Sequence, residues 1–292
     1  MKISILTTIT NPEERQDKWI EALSCYYDLA DEVVVVNGGS PVYTDSHGPW
    51  EKIKFVNLPW SYNWNWIELP RHLNAGLKKC TGDWIIKLDI DQFIHEKDFE
   101  RVRKVLAQVP EDCDVATFQK MSMVYGKKYY QKGGREIAFR NKPYIRFGKN
   151  LDKPTDLCFP VKVTSYEKVC LDCFNDATKG DFCRIWYKLP VGRQLKTFKT
   201  GISYWNYDYT FKAQDFVKEE FWRFSQAYYR YFKKWTFGRT KRKAFQVFLN
   251  MMKGRHDRAP YTYTLKDHPK YIREAIKNLT KEQFGLNAWG LL

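Results

Sequence analysis

Residues 74–93 read NAGLKKCTGDWIIKLDIDQF. The opening half belongs to a helical pattern that starts upstream at "LPRHL" and is expected to close at Gly82. Trp84 to Ile90 then form a short apolar run interrupted only by Lys87 and Asp89, the composition of a strand buried on both faces. That strand finishes on two aspartates one residue apart, Asp89 and Asp91. In an open parallel sheet the ligand crevice lies beyond the carboxyl ends of the strands, so this stretch bears on fold and site together. Residues two apart on extended backbone face the same way, which lets Asp89 and Asp91 converge on one hard cation. The competing reading is a turn begun by Asp89 with Asp91 solvated, and Asp-x-Asp spacing alone does not choose between them.

Working outward, the same alternation recurs on both sides. "KISILTTIT" near the N-terminus has the β-branched content of a strand, and "NPEE" follows it. Asn11, Pro12 and Glu14 have the order of a helix N-terminus with a capping box, and Trp19, Leu23 and Tyr26 or Tyr27 then recur at helical spacing. "DEVVVVNGGS" is a continuous β-branched run stopped by Gly38 and Gly39, and "KIKFVNLPW" is a further short strand. After the aspartates, "KDFERVRKVLAQV" places Phe99, Val102 and Leu106 on one helical face. Strand, helix, strand in this order implies right-handed parallel units, hence an α/β fold with a mostly parallel central sheet flanked by helices. From Asp114 to Tyr209 the signals are mixed: "DVATFQKMSMVYG", "KPYIRFGK" and "FPVKVTSYEKV" look like strands, separated by Gly and Pro turns.

Composition narrows the function classes. The 292 residues are 43% hydrophobic and 17% aromatic, which supports a folded chain, and the net charge of +15 favours a phosphate-bearing or otherwise anionic partner. Seven cysteines at irregular spacing do not form a disulfide framework, and Cys170 with Cys173 makes a C-x-x-C without the second pair a zinc site requires. No P-loop and no G-x-G-x-x-G is present. The N-terminus lacks a signal-peptide pattern and no apolar run approaches the ~18 residues of a membrane span, so a cytoplasmic protein, at most peripheral at a membrane, is expected.

"ADEVVVVNGGS" (30–40) followed by "NAGLKKCTGDWIIKLDIDQF" (74–93) resembles the family 2 glycosyltransferases, with Asn74, Gly76, Gly82, Asp83, Asp89 and Asp91 in matching order. The resemblance implies a glycosyltransferase A-type, Rossmann-like fold and a nucleotide-diphosphate sugar donor. It also implies Mn²⁺ or Mg²⁺ as cofactor. Asp91 with Asp89 would carry the metal and diphosphate, and Thr8, Asn37, Gly38, Arg71, Asn74 and Asp89 would line the nucleotide-sugar site. Asn37 stands where the family usually has an aspartate, and Leu73 where an arginine often precedes Asn-x-Gly. Inverting members use a second-half carboxylate as general base. "KGDFCRIWYKLPVG" (179–192) resembles that segment with Asp181 at its aspartate and Gly180 in place of the glutamate. Asp172 and Asp176 compete for the role.

A catalytic domain over 1–210 is therefore expected, its nucleotide-sugar half at 1–110 and its acceptor half at 111–210. A basic, aromatic-rich helical extension over 211–292 would follow. "GISYWNYDYTFKAQDF" (201–216) resembles the family's histidine-tyrosine stretch, with Trp205 or Asn206 near the place of the histidine. Val217, Phe221, Phe224, Tyr228, Tyr231 and Trp235 form an apolar seam on a long helix. "KKWTFGRTKRKAFQVFLNMMKGR" combines cations with Phe245, Phe248, Leu249 and Met252, a pattern that suits an anionic membrane near a lipid-linked acceptor as well as a solvated helix. The acceptor would be a glycan or lipid-linked hydroxyl, with no nucleic acid expected. A sugar nucleotidyltransferase and a nucleic-acid-binding protein are the alternative classes; the first lacks its Gly-rich basic signature after strand one.

Overall fold

The computed structural model describes residues 1–39, 50–60, 67–124, 128–152, 158–170, 186–232, 234–259 and 261–284. The chain opens β1 (Ile3–Ile9), α1 (Trp19–Leu29), β2 (Glu32–Asn37), β3 (Ile53–Asn57), α2 (Glu68–Leu77), β4 (Trp84–Lys87), β5 (Gln92–Ile94) and α3 (Phe99–Ala107). It continues with β6 (Val115–Val124), β7 (Lys128–Arg140), β8 (Ile145–Asn150), β9 (Phe159–Cys170), β10 (Trp186–Gln194) and β11 (Thr197–Asn206). The last elements are α4 (Gln214–Phe232), α5 (Lys241–Asp257), β12 (Tyr261–Thr262) and α6 (Arg273–Lys277).

The α/β sheet is mixed, in the order β3-β2-β1-β4-β7-β6-β11-β5 with β12 on β7. Its first four strands are parallel, β4 and β6 run antiparallel to β7, and β11 lies parallel to β6 but antiparallel to β5. Strands β8, β9 and β10 pair with one another and close a small three-stranded barrel.

Period-two alternation explains why β1, β2 and β4 are apolar without interruption. Ile3, Ile5, Val33, Val35, Trp84 and Ile86 enter one core with α1, while Leu6, Val34, Val36 and Ile85 enter the other with Leu73 and Leu77 of α2. Both faces are covered, so neither can be polar. Each fully buried Val, Leu or Ile contributes about 1.5–3 kcal/mol. At Gly76 a Cβ would lie 2.5 Å from both Leu6 Cδ1 and Val36 Cγ2, so glycine is what lets α2 settle on the sheet.

Two helix boundaries differ from the sequence expectation. α1 begins at Trp19, not after Asn11. Asn11 and Gln16 have positive φ (41° and 57°), and the Asn11 amide donates to Glu14 at 3.0 Å instead of capping a helix. Arg15 and Asp17 are drawn into ion pairs with Glu220 and Lys212, which fix this segment as a turn. α2 ends at Leu77 rather than running to Gly82, with Lys79 and Cys80 bonding back to Gly76 and Leu77.

The C-terminal helices form a third cluster. Val217, Phe221, Ala244, Phe248, Met252 and Phe284 are buried together, whereas Ile272 returns to the main core. The apolar face of α5, considered above for membrane contact, is occupied by α4. No helix among the described residues is long and apolar enough to cross a membrane. Cys25, Cys80, Cys113 and Cys158 are free thiols.

Candidate active site

The carboxyl ends of β1, β2 and β4 open on one side of the sheet. Thr8 lies opposite Val36 and Ile9 opposite Asn37, so the two strands finish together. Asn37 is buried, with its amide donating to Asn57 Oδ1 at 3.3 Å and its Oδ1 accepting from Gly39 N at 3.0 Å. Gly38 N bonds Ile9 O at 2.9 Å. The Trp60 indole covers this corner: its Nε1 donates to Thr10 Oγ1 at 2.5 Å and its ring stacks on His72 at 3.5 Å. A Cβ on Gly38 would fall 2.1 Å from Trp60 Nε1.

The other nucleotide-side candidates divide. Arg71 keeps its head 41% exposed, 3.5 Å from the buried Glu68 carboxylate. Asn74 uses its amide on backbone: Nδ2 donates to Phe147 O at 2.8 Å and Oδ1 accepts from Phe147 N at 2.9 Å. That two-point bond ties α2 to β8, so Asn74 has a structural duty.

Extended geometry stops at Lys87, and the aspartates sit on a turn closed by Gln92 N to Asp89 O at 2.8 Å. Their side chains consequently part. Asp89 accepts from Lys87 Nζ at 2.5 Å and from Gln92 Nε2 at 2.9 Å. Asp91 turns instead to a carboxylate from far along the chain, Asp208, in the turn after β11. Backbone joins the two segments, Tyr207 N donating to Asp91 O at 2.9 Å. Thr210 N returns to Tyr207 O at 2.9 Å, and Tyr209 takes a positive φ of 62° to make the bend.

Asp91 and Asp208 share a hydrogen bond, and their environments separate them. Burial, followed by the negative charge of Asp208, holds the Asp91 carboxyl well above the usual carboxylate range. Burial acts on Asp208 in the same upward direction, but the Lys120 ammonium and the bond from Asp91 outweigh it and keep Asp208 ionised. Lys120 Nζ lies 3.4 Å from Asp208 Oδ2. Asp91 Oδ1 is fully buried with no hydrogen-bond partner. Against Asp91 lies a cavity of about 10 Å³, walled by Asp17, Phe93, Tyr209 and Lys212. Among the described residues no three metal-ligating side chains meet at one point, so Asp91 and Asp208 are a pair with Asp89 set apart.

Trp205 is buried against Tyr263 and His268, and the Tyr207 hydroxyl bonds His268 Nδ1 at 2.9 Å. These aromatic residues are core. The polar residue that the 201–216 stretch delivers to the site is Asp208, a position not singled out from sequence. Its signal was available: Asp208 is the single carboxylate between Gly201 and Gln214. Asp172, Asp176 and Asp181 lie outside the described residues.

The profile of the family described as "Glycosyl transferase family 2" matches residues 4–169, more than half of the chain. The chain belongs to glycosyltransferase family 2. No curated protein matches it. Among solved structures, S. aureus TarS 1–349 in complex with UDP-GlcNAc is 18% identical with a TM-score of 0.31, over 41% of this chain and 35% of that one. The mannosyltransferase PcManGT from Pyrobaculum calidifontis, in complex with GDP-Man and Mn²⁺, is 16% identical with a TM-score of 0.34, over 48% and 44%. S. aureus TarS 1–349 on its own aligns over 89% of this chain and 81% of that one, at 13% identity and a TM-score of 0.38. In the two complexes the chain thus covers less than half of the matched protein's length.

Proposed function

We propose that this family 2 member transfers a sugar from a nucleotide-diphosphate sugar to an acceptor hydroxyl, with a divalent cation held by Asp91 and Asp208. The observation that carries the proposal is the Asp91–Asp208 pair at the carboxyl edge of the sheet, with one buried oxygen lacking a partner. All-oxygen anionic donors suit Mg²⁺ or Mn²⁺, and two carboxylates with the remaining positions left to water and substrate phosphates is how Mg²⁺ is ordinarily held. When bound, the cation would neutralise charge developing on the departing diphosphate.

The chain's own groups supply the rest. Thr8, Asn37, Gly38 and Arg71 lie along the nucleotide side, with Trp60 as its wall. Asp89, fixed by Lys87 and Gln92, gives that side a rigid acceptor for a sugar or ribose hydroxyl. Lys120 balances Asp208 and keeps it ionised, ready to act as a ligand. Asp181, with Asp172 and Asp176 as alternatives, is the proposed general base that takes the acceptor's proton during in-line attack, giving inversion. The support for Asp181 is the resemblance of its segment to the family's.

Calorimetric titration of the full chain with UDP, GDP and their sugars, with and without Mn²⁺, tests the proposal. Binding of at least one nucleotide that strengthens with Mn²⁺ is expected. No binding of any of them in either metal condition would remove the transferase reading.

A further inference from the structure

Between α2 and the small barrel runs a groove of about 340 Å³ whose polar lining is strongly one-signed. Arg71 enters from α2, Lys78 from just beyond its end, Arg146 from β8 and Lys188 from β10, and among the described residues no carboxylate lines it. Glu68 lies against Arg71 at 3.5 Å, whereas Lys78, Arg146 and Lys188 have no carboxylate partner among the described residues. Nearby cations are treated differently: Lys149 on β8 pairs with Glu167 at 3.3 Å, and Lys54 with Glu32 at 2.5 Å. Cations from three separate elements converging on one cleft repel each other unless an anion lies among them. Apart from Asn74, whose amide is bonded to the Phe147 backbone, the rest of the lining is apolar and aromatic, with Leu189 buried and Tyr166 52% exposed, a surface on which the face of a sugar ring packs.

We infer that this groove binds an anionic acceptor, a glycan chain carrying phosphate groups; the inference rests on the transferase reading above and names its acceptor class. Charge complementarity selects the occupant. A cleft of this volume takes one or two units of such a chain, and its concavity suits a strand better than a flat bilayer. Its position fits as well. Arg71 precedes His72, whose ring stacks on Trp60 at the ends of β1 and β2, so the groove begins beside the proposed donor side. The bound anion would sit among Lys78, Arg146 and Lys188, with the donor's own diphosphate at the cation proposed for Asp91 and Asp208.

The test titrates fluorescently labelled inorganic polyphosphate into the full chain, with maltoheptaose as the neutral comparison. Lys78→Glu with Lys188→Glu reverses the groove, and Lys277→Glu with Lys281→Glu makes the same charge change elsewhere. Groove reversal is expected to weaken polyphosphate binding by about tenfold or more, since charge-assisted contacts become repulsive, while the distant pair changes it less than about twofold. Lys78→Gln with Lys188→Gln, a gentler change, should weaken it in the same direction if the reversed protein fails to fold. Equal losses from both reversed pairs would overturn the inference in favour of general surface charge. Competitive displacement of polyphosphate by UDP or GDP with Mn²⁺ would overturn it in favour of the donor's phosphates. Maltoheptaose binding as tightly as polyphosphate would also overturn it. So would groove variants that lose only binding to vesicles with about 30% phosphatidylglycerol, which would make the face a lipid surface. Nucleotide binding is read on the same proteins. Its absence from the unmodified chain would defeat the transferase reading and leave the groove result standing separately.

Discussion

Asp208→Asn gives the sharpest separation between a metal ligand and a structural carboxylate. The substitution nearly preserves shape and keeps one acceptor oxygen for Asp91, but removes the charge that Lys120 faces at 3.4 Å. The ion pair is partly solvated, with the Asp208 and Lys120 side chains 30% and 18% exposed, so its loss costs on the order of 1 kcal/mol. Urea unfolding should register that small change. Metal binding should respond far more, because a two-carboxylate site would be left with one anionic ligand, and a fall in Mn²⁺ affinity of about 100-fold corresponds to roughly 2.7 kcal/mol. The assay is Mn²⁺-dependent nucleotide binding, with the Mn²⁺ midpoint as readout. Lys120→Met serves as the counterpart: it breaks the same pair and costs similar stability, yet removes a competing cation, so the Mn²⁺ midpoint should stay or fall. Burial and the charge of Asp208 raise the Asp91 carboxyl above the usual carboxylate range, so ligation competes with its protonation and Mn²⁺ affinity should rise with pH. An unchanged Mn²⁺ midpoint in Asp208→Asn, beside a normal loss of stability, would refute the pairing as a metal site.

Three further outcomes are expected. Asp181→Asn should leave nucleotide-sugar binding intact while slowing transfer by about 100-fold or more, and full activity would move the base to Asp172 or Asp176. Gly76→Ala should lower the melting temperature by the equivalent of about 1–3 kcal/mol despite alanine's better helix propensity, because its Cβ meets Leu6 and Val36; an unchanged Tm would mean that α2 shifts freely on the sheet. Glu32 is pushed up by burial, but bonds from Lys54, Ser4 and Thr81 more than reverse this and lower its pKa from 4.5 to about 2. Its stabilisation is therefore complete above pH 4.5 and is lost as pH falls toward 2, on the order of 2 kcal/mol. Glu32→Gln should be less stable at neutral pH and lose less on acidification over that window, as measured by urea unfolding at a series of pH values.

What was legible in the sequence follows from which interactions are local. The run VVVV at 33–36 announces a strand covered on both faces because burial demands it at every position, and the two cores take its residues alternately. The start of α1 was not legible. Asn11, Pro12 and Glu14 have every local mark of a helix cap, yet Arg15 and Asp17 are held by Glu220 and Lys212, partners that proximity in sequence cannot reveal. The site divides in the same way. Asp89 and Asp91 could be found from a strand ending, but their divergence could not, because it depends on the turn that Gln92 closes. Asp208 was hidden by its neighbours: Trp205, Tyr207 and Tyr209 gave the segment the look of pure core, and Trp205 and Tyr207 are indeed buried in it. Their burial is also what fixes Asp208. With the ring of Tyr207 anchored on His268 and that of Tyr209 against Phe248, the intervening carboxylate is held between Lys120 and Asp91. The aromatic run that obscured Asp208 is thus the part of the sequence that positions it.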